Sequence, residues 1–220
     1  MNKRCIIFGA ASLGKAALTL TAIRPDDLLL CADGGLRHAL KWGLTPHALI
    51  GDFDSMQSAE RGVQDSRTEV LRLPAQKDVT DTQACVDYGL ARGRDDFWLL
   101  GCSGGPRLDH FLGNLSLLEY CAGHGARGRL LDDDHLFLLH AGGRMELPEA
   151  REYRYFSLFP LETACTGVTL EGFAFPLAGA TVPRAGTLAV SNAPLGDGPA
   201  AVTLTGRAVI VMSERKCGQM

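Results

Sequence analysis

The sequence of 220 residues has little of what marks a protein that binds nucleic acids. Its formal net charge is −3, and aromatic residues make up only 7% of the chain. Nucleic-acid-binding domains usually concentrate positive charge, and those that bind single strands add aromatic rings for base stacking. Neither property is present, so we expect no nucleic-acid partner.

The sequence also lacks long hydrophobic runs, although 46% of its residues are hydrophobic. A helix that spans a membrane needs about 20 consecutive apolar residues. The apolar run at residues 5–8 follows a short basic N-terminus but is too short for a signal peptide. We therefore expect a cytoplasmic protein with no membrane partner and enough apolar residues for one or two domains.

Metal-binding and disulfide patterns are missing as well. The seven cysteines never occur in a C-x-x-C pair, and the histidines show no spacing typical of metal ligands. The cysteine spacing therefore indicates neither a zinc site nor a disulfide framework. We expect free, buried thiols in a reducing cytosol.

The first two thirds of the sequence alternate between short apolar runs and helix-like segments. Short apolar runs are typical of strands that are covered on both faces. The predicted strands are residues 4–9, 27–32, 48–51, 70–73, 97–101 and 136–140. The predicted helices are residues 13–23, 36–42, 82–91 and 108–120, and the last has a stripe of Leu108, Phe111, Leu112, Leu115 and Leu118. This alternation predicts an α/β domain with a mostly parallel sheet.

The pattern changes near Leu147-Pro148-Glu149. No helical stripe follows, and Gly and Pro separate short runs of β-prone residues. The predicted strands here are residues 153–159, 167–170, 187–191 and 201–212. These features predict a small antiparallel β-sandwich after the α/β domain. We place the boundary near residue 145, which gives domains of residues 1–145 and 146–220.

One apparent nucleotide motif is weak. The stretch from Gly9 to Lys15 matches G-x-x-x-x-G-K directly after the first predicted strand, but Ala16 follows where the motif requires Ser or Thr. The missing hydroxyl is a ligand of Mg²⁺ in true phosphate-binding loops. We therefore interpret this stretch as an ordinary turn from a strand into a helix.

Three carboxylates follow predicted strands at their carboxyl ends. Asp33 comes directly after residues 28–32, and Asp52 and Asp54 come after residues 48–50. Ligands bind at this edge of open α/β sheets. If the strands are neighbours, the negative charges converge and repel one another unless a divalent cation neutralises them. Mg²⁺ is often bound by one or two carboxylates together with substrate phosphates, so this set predicts a metal–nucleotide site.

The aspartates also have structural interpretations. Asp commonly caps helices and stabilises turns. Thr80-x-x-Gln83 matches a capping box with Asp81 in the first helical turn, and Asp109 fits the start of the next helix. For any single Asp the structural interpretation ranks first, whereas the shared position of the set favours a site. Asp52 and Asp54 are exceptions because no long helical pattern follows them directly.

A glycine-rich stretch, Gly101-Cys102-Ser103-Gly104-Gly105, follows the strand predicted at residues 97–101. Glycines allow the backbone to approach a ligand closely and offer N–H groups to an anion. Arg107 adds a side chain that binds phosphate with two donors. The alternative is a flexible turn with Arg107 in solvent.

Several of these segments form an ordered set of motifs. They are Ala32-Asp33-Gly34-Gly35, Pro46 with Ile50-Gly51-Asp52-Phe53-Asp54-Ser55, Lys77-Asp78-x-Thr80-Asp81, and Gly101-x-x-Gly104-Gly105 with Arg107-x-Asp109-His110 and Asn114. In this order they resemble the thiamine pyrophosphokinase family. The resemblance is close over about residues 5–120 and looser through Ser157-Leu158-Phe159-Pro160 and Ser191-Asn192.

The resemblance implies an α/β domain that binds ATP and Mg²⁺ and a β-sandwich that binds thiamine. It also implies a homodimer with thiamine near the subunit interface. The implied reaction transfers the diphosphate of ATP to the hydroxyl of thiamine and gives thiamine diphosphate and AMP. Phosphoryl-type transfer of this kind depends mainly on positioning and charge neutralisation.

The resemblance further implies roles for individual residues. The implied metal ligands are Asp52, Asp54 and Asp81. The implied ATP-binding residues are Lys77, Thr80, Gly104, Gly105, Arg107 and His110. The implied thiamine-binding residues are Asp33, Ser191 and Asn192. The implied catalytic residues are Asp33, Asp81, Arg107 and Asp109, and either Asp81 or Asp33 accepts the proton of the hydroxyl.

The sequence departs from the family pattern in three places. Pro106 is inserted between Gly105 and Arg107, which puts the direction of Arg107 in question. Residues 208–212 contain no aromatic residue, whereas many relatives carry one near the C-terminus that stacks on thiamine. Ala193-Pro194 follows Asn192 where relatives tend to be polar or acidic.

These departures leave other functions open. One alternative is a related Mg²⁺- and ATP-dependent diphosphokinase that acts on another small alcohol. Another is a sensor that binds nucleotide or thiamine without turnover, although a mere binder has less need of convergent carboxylates. A nucleotide-binding fold with none of these activities is the last alternative.

Overall fold

The computed structural model describes residues 2–53, 67–74, 76, 78–196 and 198–216. The chain divides into two compact units, residues 1–133 and 134–220. The sequence pattern put the boundary near residue 145. The division comes earlier along the chain because strand β7, Leu136–His140, pairs with the C-terminal strand β13, Ala208–Arg215.

The first unit is built on a parallel sheet with helices in the connections. Its strands are β1 Arg4–Phe8, β2 Leu28–Ala32, β3 Ala48–Gly51, β4 Glu69–Arg72, β5 Asp96–Leu100 and β6 Arg127–Leu131. Its helices are α1 Lys15–Thr21, α2 Leu36–Lys41, α3 Asp81–Ala91 and α4 Leu108–Gly123, with a 3₁₀ turn at Asp33–Gly35. All five neighbouring pairs are parallel, in the order β4-β3-β2-β1-β5-β6. The predicted parallel α/β architecture is confirmed.

The central strands are buried along their whole length. Every residue of β1 (RCIIF) and β2 (LLLCA) is buried. Burial on both faces explains why these strands appear in the sequence as continuous apolar runs without polar alternation. The strand order reverses at β1, which lies between β2 and β5. A crevice forms at the carboxyl ends of the strands where the order reverses, so this point positions a ligand site.

Helix α4 packs through a different stripe from the predicted one. Leu108 and Leu112 are 66% and 60% exposed. The buried residues of the helix are Asn114, Leu117, Leu118 and Cys121. The buried face therefore contains a polar residue, Asn114. Of the predicted stripe, Leu118 is buried, whereas Leu108 and Leu112 are exposed.

The second unit contains two antiparallel sheets, which confirms the predicted β-sandwich class. Its further strands are β8 Gly143–Glu146, β9 Tyr153–Pro160, β10 Ala164–Glu171, β11 Leu177–Pro183 and β12 Ala201–Thr205, with a 3₁₀ helix at Pro148–Glu152. Strands β7, β13 and β9 are antiparallel neighbours in that order, and a separate four-stranded sheet has the order β11-β10-β12-β8. Phe156 and Phe173 pack with ring centroids 4.4 Å apart, and His140 Nε2 donates to the Val202 carbonyl at 3.1 Å.

Several strand predictions in this part of the chain are wrong. Residues 187–191 form turns rather than a strand, and the predicted strand 201–212 is two strands that turn at Gly206. Strand β11 was missed because its sequence LAGATVP is only weakly apolar and largely exposed. In the first unit, β6 (RGRLL) was missed because charged residues and Gly occupy its first half.

The cysteines and the described helices can be compared with what the composition predicts. The six cysteines within the described residues are free and buried, as their spacing predicted. None of the described helices has the length and apolar character that crossing a membrane requires.

Candidate active site

A cavity of about 350 Å³ lies at the carboxyl ends of β1, β2 and β5. It is lined by the turns that follow these strands and by the first turns of α3 and α4. The lining residues are Gly9, Ala10, Ala11, Ala32, Asp33, Asp81, Thr82, Gly101, Cys102, Gly104, Gly105, Pro106, Arg107, His110, Phe111 and Asn114. Six of the residues predicted for the site therefore share one cavity: Asp33, Asp81, Gly104, Gly105, Arg107 and His110.

Asp33 and Asp81 reach the cavity from different elements. Asp33 directly follows β2 and has a left-handed backbone with a φ of 42°, which is uncommon outside glycine. Asp81 begins α3. Gly51, at the end of β3, lies against Asp33, since a Cβ at position 51 would be 3.0 Å from the Asp33 Cβ. A side chain at position 51 would press on Asp33, which explains the glycine before Asp52.

The segment after β3 is held in an unusual conformation. Asp52 follows Gly51 directly, and Phe53 is buried with a left-handed φ of 63°. Arg72 Nη1 donates to the Asp52 carbonyl at 3.2 Å, and the Arg72 guanidinium carbon lies 4.8 Å from the centroid of the Phe53 ring. The predicted residues Asp54 and Lys77 lie outside the described residues.

The oxygen donors of the site suit a hard divalent cation. Asp33 and Asp81 line the cavity, and Asp52 follows the residue that contacts Asp33. Within the described ranges, no group of three His, Cys, Asp or Glu residues is close enough to hold a metal ion. Mg²⁺ often takes only one or two carboxylates and completes its shell with water and substrate phosphates. The chemistry of the donors therefore fits Mg²⁺ bound together with a phosphate ligand.

Thr80 has a clear structural role. Its Oγ1 accepts a hydrogen bond from the Gln83 N–H at 3.2 Å and caps the N-terminus of α3. The cap fixes the first turn of the helix, where Asp81 lies. The capping interpretation of Thr80 is confirmed, and its role toward ATP stays a prediction.

The glycine-rich stretch leads into α4 through Arg107. Gly104 and Gly105 both have positive φ, 73° and 80°, which glycine adopts without steric cost. Arg107 donates from Nη2 to Asp109 Oδ2 at 2.6 Å and from Nε to Oδ1 at 2.9 Å. The Arg107 guanidinium lowers the pKa of Asp109 to about 2. With Pro106 inserted, Arg107 still lines the cavity, and its guanidinium is oriented by Asp109.

Buried polar side chains brace the turns around the cavity, and the sequence analysis assigned no role to them. Asn114 Nδ2 donates to the Cys102 carbonyl at 2.8 Å, and Ser103 Oγ donates to Asp132 Oδ2 at 2.6 Å. His38 Nε2 donates to the Ala11 carbonyl at 2.8 Å. Asn114 belongs to the fourth motif of the sequence, where it had no assigned role. The other contacts join residues far apart in the chain.

Cys102 also lines the cavity but is a poor nucleophile. Burial raises the pKa of its thiol to about 12. A cysteine reacts through its thiolate, which is scarce at neutral pH when the pKa is this high. The thiol therefore serves as packing, as was expected of the cysteines in general.

In the apparent phosphate loop at residues 9–15, a carboxylate of the protein occupies the N–H groups at the start of α1. Asp133 Oδ2 accepts from the Gly14 N–H at 2.6 Å, and Asp133 Oδ1 accepts from the Ala17 N–H at 3.0 Å. These N–H groups lie at the start of α1, where a phosphate would otherwise bind. Their use by Asp133 supports the interpretation of this stretch as an ordinary turn.

In the second unit, Ser191 and Asn192 lie side by side in a turn. Ser191 has a left-handed φ of 58°, and its N–H donates to Ser157 Oγ at 3.0 Å. The buried amide of Asn192 accepts from the Phe175 N–H at 3.0 Å and donates to the Phe175 carbonyl at 2.7 Å. Asn192 thus clamps the backbone of Phe175, whose side chain is 70% exposed. Phe175 has no distinct sequence signal, because it is a single aromatic residue before a proline.

The C-terminal segment without an aromatic residue belongs to the core. Residues 208–212 begin β13, the central strand of the sheet β7-β13-β9, and only Val211 among them is not fully buried. A small or aliphatic side chain at each of these positions is explained by packing between strands.

Two family models match the chain. One is described as thiamin pyrophosphokinase, catalytic domain, and covers residues 21–128; the other is described as thiamin pyrophosphokinase, vitamin B1 binding domain, and covers residues 144–208. A curated protein of Bacillus subtilis (strain 168), named thiamine pyrophosphokinase, is 31% identical over 166 residues. That match covers 75% of this chain and 77% of the relative.

Solved structures of similar proteins have the same fold. The thiamine pyrophosphokinase of Bacillus subtilis superposes with a TM-score of 0.85 at 25% identity and covers 97% of this chain and 100% of its own. The protein from Geobacillus thermodenitrificans gives 0.84 at 25% identity and covers 97% and 98%. The thiamin pyrophosphokinase of Candida albicans gives 0.81 at 14% identity, covers 97% and 89%, and supports the fold alone.

Proposed function

The chain belongs to the thiamin pyrophosphokinase family, and from this premise we propose how its residues carry out the reaction. The enzyme transfers the diphosphate of ATP to the hydroxyl of thiamine and releases AMP. The observation that carries the assignment of residues is the single cavity shared by Asp33, Asp81, the glycine-rich turn and Arg107. In this cavity, carboxylates meet groups that can donate hydrogen bonds to phosphate. It lies at the point where the strand order of the sheet reverses.

The phosphates of ATP would bind at the turn between β5 and α4. Gly104 and Gly105 offer backbone N–H groups, and Arg107 and His110 offer side-chain donors at the start of α4. The ion pair with Asp109 orients the Arg107 guanidinium toward a fixed position, which favours binding of a phosphate in one geometry. Lys77 and Thr80 complete the proposed ATP-binding set.

Asp52, Asp54 and Asp81 would hold Mg²⁺. The bound ion supplies positive charge that offsets the charge of the transferred diphosphate. One support is that Asp81 lines the cavity. Another is that residues 51–53 lie at the end of β3, which pairs with β2, the strand that Asp33 follows. We expect Asp54→Ala to fold and to lose Mg²⁺-dependent turnover, and near-normal activity of that variant would contradict the metal assignment.

The acceptor hydroxyl needs a base as it attacks. Its oxygen forms a bond to the β-phosphorus, the bond from the β-phosphorus to the oxygen of AMP breaks, and a carboxylate takes the hydroxyl proton. Asp33 and Asp81 are the candidates, because both line the cavity. Asp33→Asn and Asp81→Asn separate them: loss of the base lowers kcat without changing the half-saturating Mg²⁺ concentration, whereas loss of a metal ligand raises that concentration.

Thiamine would bind to the second unit at Ser191, Asn192 and Phe175. In the first unit, Asp33 is the residue proposed for substrate binding from the resemblance. The exposed Phe175 ring offers a flat apolar face for an aromatic ring, and the Asn192 clamp fixes the backbone that carries it. This ring supplies an aromatic residue that residues 208–212 do not contain. The aliphatic character of that segment is explained by packing and no longer favours another alcohol as the acceptor.

We also propose a homodimer with the active site near the subunit interface. Its support is the exposed pair Leu108 and Leu112, which lies beside the cavity residues His110 and Phe111 on α4. Exposed apolar side chains of this kind often mark an interface. Light scattering of the purified protein and of Leu108→Asp would test this, since the charge would dissociate the dimer. A cytoplasmic location is proposed too, and the free buried cysteines support it.

The direct test of the function is AMP formation by the purified protein with ATP, Mg²⁺ and thiamine. Controls omit thiamine or the metal ion, and a panel of other small alcohols replaces thiamine. Equal amounts of AMP and thiamine diphosphate, dependent on both additions, are the expected result. AMP formation only with another alcohol would overturn thiamine as the acceptor, and tight ATP binding without any AMP would indicate a sensor.

A further inference from the structure

We propose that Arg72 is a positioning residue for the metal-binding segment, which deepens the proposed function and rests on it. Arg72 is the last residue of β4, the edge strand of the parallel sheet. It lies beside Gly51 in the register of β3 and β4, and the Leu73 N–H donates to the Gly51 carbonyl at 2.9 Å. The backbone at Arg72 is therefore fixed next to the start of the segment 51–53.

The side chain of Arg72 holds this segment at two points. Nη1 donates to the Asp52 carbonyl at 3.2 Å, and the guanidinium carbon lies 4.8 Å from the centroid of the Phe53 ring. A guanidinium makes both contacts at once, because its plane stacks on an aromatic face while its edge donates hydrogen bonds. The two contacts belong to consecutive residues, so one side chain determines the direction of the backbone between them.

The segment requires such a contact because its backbone is strained. Phe53 is only 6% exposed and has a φ of 63°, a conformation that costs free energy for a residue with a bulky side chain. Strained backbone of this kind persists only where surrounding contacts hold it. Because the Phe53 ring is buried and covered by Arg72, the backbone of Asp52 is held in one position at the carboxyl edge of the sheet. The Asp52 side chain therefore extends from a fixed Cα.

Loss of the Arg72 side chain should weaken metal binding and leave folding and the chemical step intact. Residues that orient metal ligands typically change metal affinity by about 10–100-fold when they are replaced. Arg72→Met keeps an unbranched apolar stem but removes the guanidinium, and with it the charge and the donors. We expect the affinity for Mn²⁺ in the presence of ATP, measured by electron paramagnetic resonance without thiamine, to fall about tenfold.

Arg92 provides a matched control. It is also an arginine stacked on an aromatic ring, with its guanidinium carbon 3.3 Å from the centroid of Tyr88, and it pairs with Glu69 at the other end of β4. Arg92→Met therefore removes the same charge and the same type of stacking from the same edge of the unit. Its Mn²⁺ affinity should equal that of the wild type.

Steady-state kinetics should separate metal binding from the chemical step. In Arg72→Met the half-saturating Mg²⁺ concentration should rise about tenfold, and kcat at saturating Mg²⁺ should stay within about twofold of the wild type. Arg72→Lys keeps the charge but loses the planar group, so its metal affinity should lie between those of the wild type and Arg72→Met. If Arg72→Met does not fold, the comparison of Arg72→Lys with the wild type decides, and equal affinities overturn the proposal.

Two results with folded variants overturn the inference. One is an Arg72→Met protein that binds Mn²⁺ as tightly as the wild type. The other is equal weakening in Arg72→Met and Arg92→Met, which would indicate a general effect of charge. If the wild type itself binds no Mn²⁺ with ATP, the proposed metal site fails and the inference falls with it. That outcome is distinct from a wild type that binds the ion and an Arg72→Met variant that binds it equally well.

Discussion

Two groups of aspartates lie at the carboxyl edge of the parallel sheet, and their surroundings differ. Asp33 follows β2 and lines the cavity, where Asp81 joins it from the start of α3. Asp132 and Asp133 follow β6, and their carboxylates accept hydrogen bonds from Ser103, Gly14 and Ala17 of the same chain. The comparison shows that position at the carboxyl edge does not by itself make a carboxylate a ligand for substrate.

The difference lies in what surrounds each carboxylate. Asp133 meets the N–H groups at the start of α1, so its charge is satisfied by the protein. Asp33 and Asp81 border an open volume together with the glycine-rich turn. The first arrangement favours a role in stability, and the second favours a role in turnover. Substitutions should therefore separate the two groups.

The largest effect is expected at Asp81. Asp81→Asn keeps the size of the side chain and removes its charge, so turnover should fall by about a hundred- to ten-thousandfold. The melting temperature should change little, because Thr80 still caps α3. Steady-state AMP formation and thermal unfolding measure the two quantities. An Asp81→Asn protein with wild-type turnover would remove the distinction between the two groups of aspartates.

The next effect is expected at Asp133 and should have the opposite character. Asp133→Ala removes both hydrogen bonds to the start of α1 and should lower the free energy of unfolding by about 1–2 kcal/mol. Activity of the folded protein should stay within about threefold of the wild type. Loss of turnover without loss of stability in Asp133→Ala would contradict this assignment.

The sequence predicted the edge of the sheet but not the partners of the side chains there. The apolar runs of β1 and β2 are strong signals because both faces of these strands are buried. Strand β6 gave no such signal, since three of its five residues are Arg or Gly, and with it the location of Asp132 and Asp133 was missed. Contacts such as Gly14 with Asp133 span more than a hundred residues of sequence, and local periodicity carries no information about them.

The same limit applies in the second unit. Ser191 and Asn192 are predicted as ligands of thiamine from the resemblance to the family. In the structure, the oxygen and the nitrogen of the Asn192 side-chain amide both hydrogen-bond to the backbone of Phe175. Local patterns do not reveal a clamp between residues 17 positions apart. The fold places the exposed Phe175 ring next to the motif, and no local pattern of the sequence indicates this proximity.

A smaller effect than those at the aspartates is expected from the loss of the aromatic ring of Phe175. Phe175→Ala should raise the KM for thiamine about three- to tenfold, as expected for loss of one aromatic contact, and leave the KM for ATP unchanged. Phe159→Ala is the matched control, because Phe159 is another exposed phenylalanine of the second unit. Initial rates at varied thiamine and at varied ATP measure both constants. Equal changes in the two variants would remove Phe175 from the proposed thiamine site.

The smallest effect is expected at a buried histidine of the second unit. Like Asp133, it hydrogen-bonds to backbone groups of its own unit. His140 is fully buried, its Nε2 donates to the Val202 carbonyl, and its Nδ1 accepts from the Gly142 N–H at 3.1 Å. Burial lowers the pKa of His140 below its usual 6.5. The folded protein therefore holds the neutral form, and the unfolded chain takes up the proton first as the pH falls.

Stability from His140 should thus be fully present above pH 6.5 and should decline as the pH falls through that value toward the pKa of the folded state. Urea unfolding between pH 8 and pH 5 measures the decline, which we expect to be smaller than the loss in Asp133→Ala. His140→Gln keeps a donor for Val202 and does not titrate, so its stability should depend less on pH. If His140→Gln lost stability with falling pH as steeply as the wild type, the decline would come from other groups, and His140 would act through packing alone.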